Sequence, residues 1–294
     1  MPSKPDSMHV SVVIVSFQRE ATLLKTIEDL LAQTYSSYDI TVVDQNPSPL
    51  ASVRALAADC GGRLRILHLR PPNTLVARNV GVRAAKGEII LYVDDDIRCE
   101  TDFVAQHVAK YDKPQIGGAG GWVEAPTARD TWKPDTPLVE SPFGCNMSFR
   151  RAVLEQVGGF DWRFHPVPSY GEERELTHRI REAGYAIVSA PAALVFHHVT
   201  PDGGQRRRES QDYWKAYTAN FVLLFRRTKP WVQQLLFPLW LLKLRLTVRK
   251  HSHGSAHEST FWAGVKEGLS SAREGRGRQI DFLALTPEPN HVKL

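Results

Sequence analysis

The first hundred residues of the chain alternate between apolar runs and segments with helical periodicity. The apolar runs are rich in β-branched residues, which is typical of strands buried on both faces. In the segments between them, apolar residues recur every three or four positions, as on the inner face of an amphipathic helix. This pattern predicts strands at residues 9–17, 39–44, 64–69 and 89–93 and helices at 20–33, 52–58 and 75–85. Such alternation predicts an α/β class with a mostly parallel, Rossmann-like sheet flanked by helices.

Polar residues end three of these predicted strands. Ser16 lies at the end of the first strand, Asp44 ends the second, and Asp94, Asp95 and Asp96 follow the fourth. In parallel α/β sheets, ligands bind beyond the carboxyl ends of the strands. The sequence therefore predicts a cleft that is lined by these three strand ends.

The three adjacent aspartates favour a bound cation. Neighbouring carboxylates repel one another, and burial makes the repulsion worse. A Mg²⁺ or Mn²⁺ ion relieves it, because these ions take oxygen ligands and bridge carboxylates to substrate phosphates. A solvated acidic turn is the alternative interpretation of the same residues.

The second half of the chain mixes strands and helices less regularly. It contains predicted strands at 115–124, 146–150, 187–189 and 194–197, helices at 152–157 and 172–183, and a proline-rich loop at 127–143. Glu172 and Glu173 open the second helix, where carboxylates either complement the helix dipole or include a general base. His197 and His198 close the last strand, either as metal ligands or as packed or exposed rings.

Several classes of protein are disfavoured. The glycines at 117–121 do not complete a dinucleotide-binding fingerprint, and the chain has no P-loop sequence. Its three cysteines, Cys60, Cys99 and Cys145, are far apart and odd in number, which argues against a zinc site or a disulfide framework. Residues 1–8 lack the pattern of a signal peptide, so a cytoplasmic protein is expected.

Charge is spread unevenly along the chain. The net charge is +5, yet residues 200–294 carry 16 Lys+Arg and 8 Asp+Glu, which leaves 21 and 24 for the rest. Residues 226–250 combine apolar, aromatic and basic side chains but are interrupted too often to span a membrane. They predict an interfacial helix on anionic lipid at the inner face of the cytoplasmic membrane, with packing on the rest of the chain or in a homodimer as alternatives. Arg206 to Arg208 come without a nucleic-acid-binding motif, so no specific nucleic acid is expected.

An ordered series of motifs resembles those of the inverting glycosyltransferase family 2, which has the GT-A fold. The motifs are VSVVIVSFQRE from Val10, VVDQNPS from Val42, NTLVARNVG from Asn73, YVDDDIRCETDFV from Tyr92, FGCNMSFRR from Phe143, GGFD from Gly158, GEEREL from Gly171, HRIREAGY from His178 and VFHHV from Val195. Together they cover residues 10–199. The resemblance implies an enzyme of bacterial polysaccharide or cell-envelope assembly that transfers a sugar from a nucleotide-sugar donor to a hydroxyl acceptor.

The resemblance also implies roles for individual residues. The residues implied to bind the nucleotide sugar are Ser16, Phe17, Arg19, Asp44, Arg78, Asp94 and Asp95, with Asp44 on the base and Asn79 nearby. The residues implied to hold Mn²⁺ or Mg²⁺ are Asp94, Asp96 and His197. The residues implied to bind the acceptor are Trp122, Trp162 and Asn146. Each tryptophan would stack on a sugar face or simply pack.

The general base is expected at the GEEREL motif. The family usually has Glu-Asp where this chain has Glu172 and Glu173, and the aspartate is the usual base. Glu173 occupies that position with a side chain one methylene longer, and Glu172 stays as the alternative. The donor implied is a UDP-, GDP- or dTDP-sugar, and the acceptor is a glycan or a lipid-linked glycan.

Together these features divide the chain into four parts. Residues 1–8 form a disordered tail and 9–205 a catalytic domain, with a nucleotide-binding half (9–100) and an acceptor half (101–205). Residues 206–275 form a helical appendage and 276–294 a C-terminal tail. Two alternatives remain, namely a non-catalytic scaffold subunit and a sugar nucleotidyltransferase. The second lacks support because the turn after the first strand has no glycine.

Overall fold

The computed structural model describes residues 8–127, 131–134, 136–167, 170–199, 210–252 and 258–274. In this part of the chain, one eight-stranded sheet is covered by helices. The strands are β1 (Val10–Ser16), β2 (Tyr38–Asp44), β3 (Leu64–His68), β4 (Ile89–Asp94), β5 (Ile97–Cys99), β6 (Ile116–Glu124), β7 (Asn146–Arg150) and β8 (Ala186–His197). The helices are α1 (Glu20–Leu31), α2 (Ala51–Asp59), α3 (Thr74–Ala84), α4 (Phe103–Val108), α5 (Arg151–Val157), α6 (Glu172–Glu182), α7 (Gln211–Thr228), α8 (Trp231–Gln234), α9 (Phe237–His251) and α10 (Glu258–Arg273).

The sheet has the strand order β3-β2-β1-β4-β7-β6-β8-β5. Strands β3, β2, β1 and β4 are parallel neighbours, which is the arrangement predicted for the first half of the chain. β7 runs antiparallel between β4 and β6, β8 runs parallel to β6, and β5 is antiparallel to β8. Six of the eight strands in the described part of the chain therefore point the same way, which confirms the mostly parallel sheet.

Both faces of β1 are covered because side chains alternate along a strand. Val12 packs in one buried cluster with Ile27 of α1. Val13 faces the other side, where α3 approaches the sheet. A Cβ added to Gly81 of α3 would collide with the Val13 side chain, so glycine is what permits this close helix–strand contact.

Two short elements escaped the sequence analysis, and one strand is longer than predicted. β5 has three residues and α4 has six, so neither is long enough to show a clear periodicity. The strands predicted at 187–189 and 194–197 are one strand, β8. The register between β6 and β8 jumps from Gly121–Ala190 to Trp122–Leu194, so Pro191 lies in a bulge where proline removes no ladder hydrogen bond.

The C-terminal helices predicted for residues 206–275 are present as α7 to α10. Leu223 and Leu224 of α7 belong to the same buried cluster as Leu176 of α6, so this part of the chain shares a core with the sheet domain. Within the described residues, no helix is both long and apolar enough to cross a membrane. The predicted tails and the arginines at 206–208 lie outside the described residues, except for Met8, which is buried.

Candidate active site

The strand ends predicted to line a cleft are neighbours in the structure. β1 lies between β2 and β4, where Ser16 pairs with Asp44 and Val15 pairs with Asp94. The end of β1 therefore separates Asp44 from the aspartate triplet. The parallel register of these three strands brings together side chains that are far apart in the sequence.

Asp44 supports the loop that follows β2. One carboxylate oxygen accepts hydrogen bonds from the backbone amide and the side-chain amide of Asn46, at 2.9 and 2.7 Å. The other oxygen accepts from the Leu50 amide at 2.9 Å. The Asn46 side-chain oxygen in turn accepts from the amide of Gln18, whose φ of 59° is left-handed. Asp44 is fully buried and shapes the floor beside the β1 turn.

The β1 turn holds two of the three aspartates. The Ser16 hydroxyl donates to Asp95 Oδ2 at 2.7 Å. Arg19 Nη1 lies 3.3 Å from Asp95 Oδ1 and 3.0 Å from Asp96 Oδ2. Burial raises the pKa of Asp95 to about 7, against the lowering influence of Arg19 and Ser16. In this structure the polar groups of Ser16 and Arg19 are therefore engaged in positioning the triplet, and Phe17 between them is half-buried.

The position of His197 is set by a strand pairing that the sequence does not reveal. β5 begins directly after the triplet and pairs with the end of β8, so that Ile97 lies opposite His197. His197 Nε2 lies 3.1 Å from Asp96 Oδ1 and 3.9 Å from Asp94 Oδ2. The His198 side chain is exposed, and its backbone amide donates to the Asp96 carbonyl. The structure thus places His197, the predicted member of the pair, at the triplet.

A metal ion fits the group around Asp94. The side chain of Asp94 is 37% exposed, whereas those of Asp95 and Asp96 are 5% and 0% exposed, so Asp94 is the accessible carboxylate of the triplet. Ligand atoms of Asp94, His197 and Cys145 all lie within 4.8 Å of one another. A carboxylate and an imidazole are ordinary ligands of Mn²⁺.

Cys145 is the member of this group that the sequence analysis missed as a ligand candidate. Burial first, and then the charges of Asp94 and Asp96, raise the pKa of its thiol. Mn²⁺ and Mg²⁺ prefer oxygen and nitrogen ligands to sulfur, so Asp94 and His197 are the better candidates for ligands in this group. The only sequence signal for this position is its place within the FGCNMSFRR motif.

The two glutamates lie on the other side of Gly144 and Cys145. α6 begins after Gly171, whose φ of 92° turns the chain into the helix. Arg78 Nη1 lies 3.2 Å from Glu173 Oε1 and 4.0 Å from Glu172 Oε1. Glu172 is buried at 1% side-chain exposure, whereas Glu173 is 17% exposed and is the more accessible of the two.

Arg78 connects the glutamates to the rest of the site. Its Nη2 donates to the Gly144 carbonyl at 3.3 Å, and its guanidinium lies over the Phe160 ring at 5.0 Å from the centroid. Burial alone would lower the pKa of Arg78, but the carboxylates of Glu173, Asp94 and Glu172 outweigh it and raise the pKa. The neighbouring Asn79 is fully buried, where its amide bonds both the amide and the carbonyl of Phe160.

Two of the residues predicted to bind an acceptor, Asn146 and Trp122, are joined by a hydrogen bond. Asn146 is fully buried. Its side-chain oxygen lies 2.8 Å from His107 Nε2, and its side-chain nitrogen donates to the carbonyls of Trp122 and Ala193. This amide is therefore occupied inside the sheet, and the structure gives it no reach toward an acceptor. Trp122 is half-buried with the Lys133 ammonium 4.2 Å from its ring centroid, and Trp162 is 38% exposed.

Comparison with known proteins gives a family and a fold. The sequence profile of the family described as Glycosyl transferase family 2 matches residues 11–162, which is just over half of the chain. The chain is 26% identical over 308 residues to the O-antigen biosynthesis protein RfbC of Myxococcus xanthus, covering 91% of this chain and 23% of that protein.

Two further relatives extend this comparison. The chain is 27% identical over 183 residues to the glucosyl-dolichyl phosphate glucuronosyltransferase of Haloferax volcanii, covering 52% of this chain and 56% of that protein. It is 23% identical over 224 residues to the amylovoran biosynthesis glycosyltransferase AmsB of Erwinia amylovora, covering 69% and 74%. The chain thus spans less than two thirds of the length of RfbC and of the glucuronosyltransferase.

Solved structures share the fold over nearly the whole chain. The mannosyltransferase PcManGT from Pyrobaculum calidifontis, in complex with GDP-Man and Mn²⁺, has a TM-score of 0.56 at 16% identity and covers 97% of this chain and 80% of its own. S. aureus TarS in complex with UDP-GlcNAc has a TM-score of 0.59 at 14% identity and covers 92% and 93%. These similarities confirm the predicted GT-A fold.

Proposed function

Because the chain belongs to glycosyl transferase family 2, we propose that it is a metal-dependent inverting glycosyltransferase. It would move a sugar from a nucleoside diphosphate sugar to a hydroxyl group. The observation that carries this proposal is the arrangement around Gly144 and Cys145. On one side lie the accessible Asp94 and the buried His197. On the other lies the partly exposed Glu173 with its partner Arg78.

We propose Glu173 as the general base. Arg78 binds Glu173 Oε1 at 3.2 Å and so fixes the direction of the carboxylate. A general base must reach the hydroxyl whose proton it removes, and Glu173 is more accessible than the buried Glu172. As the hydroxyl oxygen attacks the anomeric carbon, its proton passes to Glu173 and the bond to the diphosphate breaks on the opposite face. This single displacement inverts the anomeric carbon and needs no covalent enzyme intermediate.

The aspartate triplet and His197 are proposed to hold the diphosphate end of the donor. Asp94 and His197 would bind Mn²⁺ or Mg²⁺, and the buried Asp96, 3.1 Å from His197 Nε2, would add negative charge beside the ion. The bound ion would supply neutralisation of the charge that develops on the leaving diphosphate. Ser16 and Arg19 keep the triplet in place, and Arg78 adds a buried positive charge near Asp94.

The donor and acceptor follow from the relatives only as classes. The matched proteins are named for O-antigen and amylovoran biosynthesis, and the matched structures hold GDP-Man or UDP-GlcNAc. We therefore propose a UDP-, GDP- or dTDP-sugar as donor and a polysaccharide or lipid-linked glycan as acceptor. The free thiols of Cys60, Cys99 and Cys145 favour a reducing, cytoplasmic setting for the reaction.

A donor screen tests the proposal. The purified chain is incubated with Mn²⁺ and a panel of UDP-, GDP- and dTDP-sugars, and release of the nucleoside diphosphate is measured. Asp94→Asn and Asp96→Ala are the site variants, and Asp112→Asn at an exposed surface position is the matched control. Metal-dependent release from one donor that both site variants lose and the control keeps would support the proposal. Absence of binding to any nucleotide, with or without metal, would contradict it and favour a scaffold subunit.

A further inference from the structure

The C-terminal helices leave a row of large apolar side chains in solvent. These side chains are 52% to 77% exposed, and we call them the C-terminal stripe: Trp231, Val232, Leu235, Leu236, Leu239, Leu242 and Leu246. Scattered exposed leucines are normal on a protein surface, but a contiguous apolar patch marks a binding surface. The stripe lies on α8, on the turn after it and on α9.

The opposite side of α9 is packed, so the helix has a defined orientation. Leu244 and Val248 are buried in a cluster with residues of α7 and α10. Phe225 of α7 stacks at 4.4 Å between ring centroids on Trp240 of α9. Leu239, Leu242 and Leu246 are spaced three and four residues apart, which places them on one outward face. The stripe is therefore presented by a helix that the core holds in place.

The segment that carries the stripe bears only basic charges, and its Arg245 pairs with Glu258 at the start of α10. Residues 213–257 contain eight Lys+Arg and no Asp or Glu. Of these, Lys229, Lys243, Arg249 and Lys250 are exposed. Lys243 follows Leu239 by four residues, and Lys250 follows Leu246 by four, so these charges flank the apolar face.

We propose that the C-terminal stripe docks this protein on an anionic phospholipid bilayer. An amphipathic helix with leucine and tryptophan on one face and basic residues beside it lies in the interface of such a bilayer, with its apolar side chains below the headgroups. Basic residues strengthen this binding when the lipid surface is negative. The helix would lie on the membrane and not cross it, in keeping with the absence of a spanning helix among the described residues.

A second copy of the chain is the less suitable occupant. A symmetric dimer places the same patch on both partners, so the basic residues beside the stripe would face one another. Like charges brought together at an interface oppose association, whereas lipid phosphates neutralise them. The bilayer therefore satisfies both the apolar and the charged parts of the surface.

The docked helix is connected to the proposed base through α7. Phe225 of α7 contacts Trp240 of α9, and the adjacent Leu224 lies against Gly171, directly before the two glutamates. A Cβ added to Gly171 would be 3.0 Å from Leu224 Cδ2. This packing keeps the lipid-facing side at a fixed position relative to the acceptor half.

Vesicle co-sedimentation of the full chain tests the proposal. Vesicles of phosphatidylcholine alone are compared with vesicles that contain about one third phosphatidylglycerol, at low and high salt. One variant removes apolar contacts (L239Q, L242Q and L246Q together), and another removes charge (K243Q, R249Q and K250Q together). The matched controls are Leu138→Gln, at an exposed leucine elsewhere, and K25Q, K86Q and K113Q together, at exposed lysines of the sheet domain.

The expected result is sedimentation with the anionic vesicles that the apolar variant loses. The charge variant should bind about 100-fold more weakly at low salt, since each basic residue contributes about 1 kcal/mol at an anionic surface. The control variants should bind as the wild type, and thermal melting should show all variants folded. Equal binding to neutral vesicles, or no binding to either kind, would overturn the proposal.

Two further measurements separate membrane docking from dimer formation and from the proposed transfer reaction. A dimer in vesicle-free solution that the apolar variant abolishes, without any vesicle binding, would assign the stripe to a second copy and overturn the lipid proposal. The binding is measured without donor or metal, so it does not depend on the proposed reaction. The Glu173→Gln protein should sediment with anionic vesicles as the wild type does, whether or not transfer is detected.

Discussion

Gly144 should be the most informative single substitution at the base. A Cβ at this position would lie 2.5 Å from Glu173 Oε1 and 2.8 Å from Arg78 Nη2. Ordinary contact begins at 3.4 Å, so in Gly144→Ala the carboxylate must move by about 0.9 Å and the guanidinium by about 0.6 Å. Displacement of a catalytic group by about 1 Å lowers the rate by roughly 100-fold. We expect that loss in donor turnover, and because the buried Arg78 must move as well, thermal melting is measured to show that the variant is folded.

A double-variant cycle shows whether the effect of Gly144→Ala passes through Glu173. Aspartate at position 173 is one methylene shorter and withdraws the carboxylate from the new methyl group. In the Glu173→Asp background, Gly144→Ala should therefore cost clearly less than 100-fold, which is the non-additivity expected for residues in contact. Nucleoside diphosphate release by the four proteins is the assay. Wild-type activity in Gly144→Ala, or an equal loss in both backgrounds, would refute this account of the base.

Three further predictions concern residues around the site. Cys145→Ala should keep Mn²⁺-dependent donor release within about threefold of wild type, because Mn²⁺ prefers oxygen and nitrogen ligands to sulfur; a loss of Mn²⁺ dependence would show that sulfur is a ligand. Burial lowers the pKa of His107 from 6.5 to about 4, so the folded state binds its proton less tightly than the unfolded state does. The free energy of unfolding should therefore fall by roughly 3 kcal/mol as the pH drops from 6.5 to 4. Denaturant titrations at several pH values should show that His107→Gln lacks this fall. Identical pH dependence in the two proteins would contradict the lowered pKa of His107. Asn220→Ala should cost about 2 kcal/mol of stability, since its amide bonds both the amide and the carbonyl of His165 at 2.7 and 3.0 Å. It should also slow turnover, because His165 lies shortly before Glu172 in the chain. Unchanged values in both assays would contradict a role for the Asn220–His165 hydrogen bonds.

The first half of the fold could be predicted because each strand there is a long apolar run. A run such as β1 predicts a strand buried on both faces. The topology of parallel sheets then predicts that the polar residue at its end lines a ligand site. Ser16, Asp44 and Asp94 therefore end three adjacent strands, as predicted. The strand order in the second half could not be predicted. β7 runs antiparallel and β6 parallel to β4, and no local sequence pattern distinguishes the two directions.

The parts of the site that depend on tertiary contacts were predicted less well. His197 was expected at the triplet from the family resemblance, but the pairing of β5 with β8 that places it there could not be predicted, because a strand of three residues shows no periodicity. Cys145 lies within 4.8 Å of the ligand atoms of Asp94 and His197 because of the turn before β7, and no spacing of ligands in the sequence indicates this. Asn146 reads as an acceptor contact in the sequence, but its amide is used to bind β6, β8 and His107 together.

The division of the chain at residue 205 is similarly a matter of packing. Sequence composition changes near that position, yet α7 contributes Leu223 and Leu224 to the core of the acceptor half. A helix that packs against Gly171, directly before Glu172, therefore helps to hold the proposed base in position. Composition reports what a segment is made of, while the core to which it belongs depends on contacts far along the chain.

The turnover of Glu173→Gln and Glu172→Gln distinguishes the two glutamates as candidates for the general base. Once a donor is known, nucleoside diphosphate release is measured with water as acceptor, and donor affinity is measured by calorimetry. If Glu173 is the general base, kcat should fall by about 1,000-fold in Glu173→Gln. Donor affinity should stay unchanged within a few-fold, because a general base acts on the acceptor. Wild-type turnover in Glu173→Gln together with an inactive Glu172→Gln would contradict this role for Glu173 and assign the base to the buried glutamate.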